Sequence, residues 1–205
     1  MQNRTLFRVM LVVGVLANIG IIILFASEKK ETGLIDSWQP YTAKDAGFSL
    51  MYPTGWKMAE FNRQDIEFEV RFSSAENAYL SASASLAGAL MMDILKHASV
   101  SEDPLDAYHE KYMEAMEERL GRFKRTETTK MKVSQMDAYG TSFEFRTWNG
   151  LMGRAMKGMV VSTWNGDNHL ALMFVCPTPQ YDKMFAAFGT FLRDFKSERI
   201  RSDDD

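Results

Sequence analysis

Hydrophobic positions change their rhythm twice along this chain. The first pattern is an uncharged, nearly unbroken apolar run from Val9 to Ala26, preceded by Arg4 and Arg8. At about 1.5 Å of rise per residue a helix of this length spans roughly 27 Å, close to the hydrocarbon thickness of a bilayer, so residues 1–27 predict one transmembrane helix. Cleavage after Ala26 or Ser27 would place Leu24 or Phe25 at the −3 position, where a signal-peptidase site needs a small residue, and the segment therefore reads as an uncleaved anchor. Residues 28–44 are polar and aperiodic and read as a linker.

After the linker the apolar residues recur with period two. Strands are predicted at Phe48 to Tyr52, Trp56 to Phe61, Ile66 to Ser73 and Tyr79 to Leu86, with a turn at YPTGW between the first two. In the third, Ile66, Phe68, Val70 and Phe72 alternate with Glu67, Glu69 and Arg71, so one face should be buried and the other wet. The rhythm then becomes helical. Asp103 is placed as N-cap with Pro104 at the first helical position, and Leu105, Tyr108, Tyr112, Met116 and Leu120 form one stripe that ends near Gly121. More strands follow at Glu127 to Val133, Ala138 to Trp148, Leu151 to Trp164 and His169 to Cys176. Asn149-Gly150 and Asn165-Gly166-Asp167 supply the positive φ that hairpin turns need. A last helix is predicted from about Gln180 to Glu198, with Met184, Phe185, Phe188, Phe191, Leu192 and Phe195 on its apolar face. The fold class is α+β: an antiparallel meander flanked by helices over residues 45–199, preceded by one transmembrane helix and closed by an acidic tail at 200–205.

Charge sharpens this picture. The net charge is −3 overall and +3 within residues 1–30, which leaves −6 for the remainder; an acidic domain without a basic stripe excludes nucleic acid as a partner. Arg4, Arg8 and the N-terminal amine outweigh Lys29 and Lys30, which are interleaved with Glu28 and Glu31, so the soluble part is expected on the extracytoplasmic side, periplasmic or cell-surface. Cys176 is the only cysteine and sits in the apolar run HLALMFVCP, where a buried, inert thiol is expected.

No chemistry announces itself. His97, His109 and His169 lack metal-ligand spacing and read as surface or interface residues; Ser99, Ser101, Ser134 and Ser142 have no nucleophile-elbow context. Gly150, Gly153 and Gly158 have no following helix and are not a phosphate loop, and the fifteen methionines fall mostly on core periodicities. No catalytic, cofactor-binding or metal residue is therefore expected. Two segments remain as interaction candidates. Gly14, Ala17 and Asn18 share one face of the apolar run, either to dock on another membrane helix or simply tolerated there. In GALMMDILKHA, Leu90, Met91, Met92, Ile94 and Leu95 either pack internally across a sheet edge or contact a partner.

The opening GFSLMYPTGWKM and the closing HLALMFVCPTPQYDKMFAAFGTFLRDFK resemble the first hairpin and the last strand, proline turn and C-terminal helix of the PsbP-like family, named for an extrinsic subunit of photosystem II. The resemblance covers roughly Tyr41 to Arg199. It implies an α/β/α sandwich around an antiparallel sheet and a non-enzymatic accessory or assembly role, without the metal-binding histidines of photosynthetic members. The expected protein is thus a single-pass, membrane-anchored module whose partners are the lipid bilayer and other membrane or envelope proteins. The alternative is a membrane-anchored enzyme or solute-binding domain using a cleft between sheet and helices.

Overall fold

Two antiparallel sheets of unequal size organise the domain. The computed structural model describes residues 35, 37–63, 67–97, 103–147, 153–166 and 168–197. The expected membrane helix with Gly14, Ala17 and Asn18, the Asn149-Gly150 turn and the acidic tail lie outside the described residues. No helix among the described residues is long and apolar enough to cross a membrane.

The small sheet pairs β1 (Trp38–Ala43) with β2 (Phe48–Pro53), and β2 with the two-residue β11 (Lys196–Ser197). β1 lies inside the stretch read as linker. Pro40 and the preceding polar residues mask its period, but Trp38 faces Pro53 and Tyr41 faces Leu50 across a complete antiparallel register, and pairing, which no local pattern records, makes it a strand. Gly55, at φ +84°, makes the turn out of β2, with the Trp56 amide donating to the Pro53 carbonyl at 3.3 Å.

The large sheet contains β3 (Lys57–Arg63), β4 (Glu67–Ser73), β5 (Tyr79–Ser85), β6 (Lys124–Arg125), β7 (Thr129–Val133), β8 (Met136–Arg146), β9 (Ala155–Trp164) and β10 (His169–Pro177). Its order is β3-β4-β5-β10-β9-β8-β6, with β7 also on β8. It is therefore not one continuous meander. Two local meanders are joined where β5 pairs with β10, Leu80 opposite Phe174. The turn between β9 and β10 uses Gly166 at φ +104°, and the Asn165 side chain accepts the Asn168 amide at 2.8 Å.

Helices cover both faces. Two of them, α1 (Leu86–His97) and α2 (Pro104–Glu117), lie on one face; α3 (Tyr181–Asp194) lies on the other, after a short 3-10 turn. Asp103 caps α2 as its sequence predicts, accepting the Asp106 amide at 3.3 Å, with Pro104 following. Residues of alternate parity on β10 sort the core. Leu170, Leu172, Phe174 and Cys176 meet α3 and the small sheet, including Phe48, Leu50, Phe188, Phe191 and Phe195. Met173 and Val175 meet α2 through Tyr112, Met113 and Met116. Cys176 is buried as expected, and burial pushes its thiol up to about 12.

This double coverage corrects the expectation of a wet face on β4. Glu69 and Arg71 are both 3% exposed. Their charges are retained inside by pairing: the Arg71 guanidinium donates to Glu69 Oε1 at 2.7 Å and lies over the rings of Tyr79 and Phe61 at 5.2 and 5.7 Å.

Candidate functional site

Helix α1 begins where Ser85 Oγ accepts the Gly88 amide at 3.1 Å. Gly88 then allows close approach to the sheet. A Cβ there would lie 2.6 Å from the Cβ of His169, so any larger residue would push the helix off β10. Seated this way, α1 turns Met91 and Leu95 into a cluster with Leu105, Tyr108 and Tyr139.

Its other side carries Leu86, Leu90 and Ile94, which are 54%, 51% and 49% exposed. Their spacing of four aligns them as one ridge about 12 Å long. The remaining exposed large hydrophobics among the described residues, Met58 on β3 and Phe185 on α3, lie on other elements. Of the five residues expected either to pack internally or to contact a partner, Leu90 and Ile94 thus face outward, whereas Met91 and Leu95 belong to the core, because a helix divides consecutive apolar residues between two faces. The side chain of Met92 is not among those described. Leu86 was missed because it continues the strand pattern of β5.

Beneath the helices lies a polar layer that sequence reasoning did not assemble. His109 is completely buried, between Ser162 Oγ at 2.8 Å from Nδ1 and Thr141 Oγ1 at 2.8 Å from Nε2. Thr141 Oγ1 is 2.8 Å from Thr128 Oγ1, and Thr128 donates to Glu110 Oε1 at 2.5 Å; Arg125 donates to Glu110 Oε2 at 2.7 Å. An ionised carboxylate only accepts, so the direction of the chain is set from its outer end. Thr128 spends its proton on Glu110, Thr141 donates to Thr128, His109 donates through Nε2–H, and Nδ1 is left to accept from Ser162. Burial raises the Glu110 carboxyl, but the bonds from Thr128 and Arg125 outweigh it and hold the group below its ordinary value.

A serine beside a histidine is the geometry of a nucleophile and its base, yet Ser162, His109 and Thr141 are all 0% exposed, so no substrate reaches them. The chain instead fastens α2 to β8 and β9. The expectation of surface or interface histidines is therefore corrected for two of the three: His109 and His169 are buried in the interior, and only His97 is exposed. The available signal was positional. His109 is four residues after Leu105 and three before Tyr112, on the apolar stripe, and His169 shares parity with Met173 and Val175. Among the described residues no group of three or more His, Cys, Asp or Glu is placed to hold a metal ion.

No family model and no curated protein matches the chain. Solved structures do. The Ran-binding protein Mog1p of Saccharomyces cerevisiae superposes with a TM-score of 0.51 at 9% identity, over 78% of this chain and 95% of that one. The fold is PsbP-like. Cyanobacterial PsbP from Synechocystis sp. PCC 6803 gives a TM-score of 0.48 at 16% identity, covering 84% of this chain and 99% of its own. LpqN of Mycobacterium tuberculosis, described as involved in cell envelope biogenesis, gives 0.41 at 9% identity over 87% and 95%. At such identities the likeness concerns the fold alone.

Proposed function

We propose that this protein is a membrane-anchored, non-enzymatic accessory module that binds another protein through the outer ridge of α1. The observation that carries the reading is the alignment of Leu86, Leu90 and Ile94, half exposed on a helix whose opposite face is locked into the core. A row of aliphatic side chains at this spacing is the form a helix takes when it lies in a partner's apolar groove. Scattered single residues would carry no such meaning. Mog1p, which shares the fold, is itself described as binding a protein, Ran.

The position of the ridge also suits a tethered domain. β1 belongs to the small sheet, across the large sheet from α1. A chain anchored through Val9 to Ala26 would leave the domain on the small-sheet side and hold the ridge on the far face, open to another protein in the same compartment.

The test is site-specific photocrosslinking in native membranes, with the crosslinker at position 90. A discrete adduct is expected that disappears when Leu86 and Ile94 are both replaced by Asp, while a crosslinker at the exposed position 118 gives none. Labelling that is equal at positions 90 and 118, or indifferent to the double replacement, would refute the ridge as the binding face.

A further inference from the structure

The seat of α1 is built differently from the rest of the interior. On the helix side of the large sheet, Glu67, Ser85, His169 and Trp164 stand in one row across β4, β5, β10 and β9, and Glu69, Ser83, Ala171 and Ser162 in the next. Neither row holds an aliphatic side chain larger than alanine. Met91 and Leu95 dock α1 on Leu105 and Tyr108 of α2 and on Tyr139 and Trp164. Between the two helices and the sheet sits His169, 3% exposed, with its Cβ 2.6 Å from where a Cβ on Gly88 would fall and the Tyr108 ring 4.4 Å away, centre to centre. His169 Nε2 is shielded from solvent and has no hydrogen-bond partner among the described residues, and the neighbouring Trp164 Nε1 is in the same state. An imidazolium donates from both ring nitrogens, and in this place it finds no acceptor at Nε2.

We infer that α1 is a detachable helix, seated on the sheet while His169 is neutral and released when the ring is protonated. Lifting α1 lets water reach Nε2, so the released form accepts the proton that the seated form refuses. The groups around the ring act in the same direction. From α2 come Tyr108, whose phenol burial keeps neutral, and His109, whose charge would repel a second one. Gly88 of α1, Ser85 of β5 and Trp164 of β9 carry no ionisable group; Glu67 stands two strands away, and His97 is exposed at the far end of α1. Burial first, and then His109, hold His169 at about 3 while α1 is seated. Open to water it titrates near 6.5, so the released population grows about tenfold per pH unit below that value, and about thirtyfold by pH 5. Release frees Met91 and Leu95 from the core, and it stands whether or not the outer ridge of α1 binds a protein.

The experiment follows amide hydrogen exchange of the full-length chain in detergent micelles at pH 7.5 and pH 5, read as protection factors so that the intrinsic pH dependence of exchange cancels. The amides of Leu90 to His97 are expected to lose protection about thirtyfold on acidification, to stay less protected than β9 and β10 at both pH values, and to respond little to dilute urea, because local opening exposes little surface. His169→Gln should reduce that loss to less than about threefold, whereas His109→Asn should leave it in place. Gly88→Ala, which sets a methyl against His169, should lower the protection of α1 about tenfold or more already at pH 7.5, and it reads the seat even if His169→Gln does not fold. Protection in α1 that matches β9 and β10 in size and urea dependence, that persists at pH 5, that falls as far in His169→Gln as in the parent, or that survives Gly88→Ala overturns the proposal.

Discussion

Protonating His109 would cost Nδ1 the hydrogen bond from Ser162 inside a region that meets no solvent. Burial accordingly lowers its pKa to about 4, against the pull of Glu110. His169, packed on Tyr108 with ring centres 4.4 Å apart, falls to about 3, through burial first and then the charge His109 would carry. In the unfolded chain both titrate near 6.5. Between that value and the folded one, the unfolded state binds the proton and the native state does not. Stability therefore rises with pH in this window and is lost as pH falls below about 6.5, by about 1 kcal/mol per pH unit for each histidine. The urea midpoint is expected to drop between pH 7 and pH 5, and His109→Asn should flatten that dependence even if it lowers the midpoint overall. A variant as pH-sensitive as the parent would show that His109 is not the group responsible.

The elements repeat this division between centre and rim. Phe188 and Phe191 on α3, and Phe195 immediately after it, are fully buried, and Phe188 stacks on Phe174 at 5.6 Å, so three of the four rings predicted to pack on the sheet do so. Phe185, predicted beside them, is 42% exposed. At about 100° per residue it lies roughly 60° round the helix from Phe188, on the side away from Phe191, and so falls at the edge of the buried arc. Phe188→Ala is expected to cost about 3–5 kcal/mol in chemical denaturation, and Phe185→Ser less than about 1 kcal/mol, because it leaves no cavity. Comparable losses would mean that the helix does not pack through the ring of Phe188. The same reasoning applies to α1. Its sequence LAGALMMDILKH is apolar on two sides, and a periodicity argument cannot say which side meets the sheet; Gly88, where a Cβ would strike His169, decides it.

At the scale of the whole molecule, the fold holds the small sheet and the α1 ridge on opposite sides of the large sheet. If residues 1–27 anchor the chain, the protein should remain in the membrane fraction after alkaline carbonate washing. Recovery of a form beginning near Ser27 or Glu28 would instead show cleavage. The antiparallel α+β class, most strands from Phe48 onward, the capped α2 with its stripe and the aromatic face of α3 were all legible in the chain itself. Each follows from local physics: the two periods, the fixed φ of Pro104, the capping carboxylate of Asp103 and the positive φ of Gly55 and Gly166. Tertiary structure alone decided that β5 pairs with β10, that β1 is a strand, and that Glu69, Arg71, His109 and His169 are interior residues. It also decided which side of α1 is exposed and laid Gly88 against His169. Periodicity shows that a face is buried but not what buries it. A polar face becomes interior only when helices from elsewhere in the chain are laid across it.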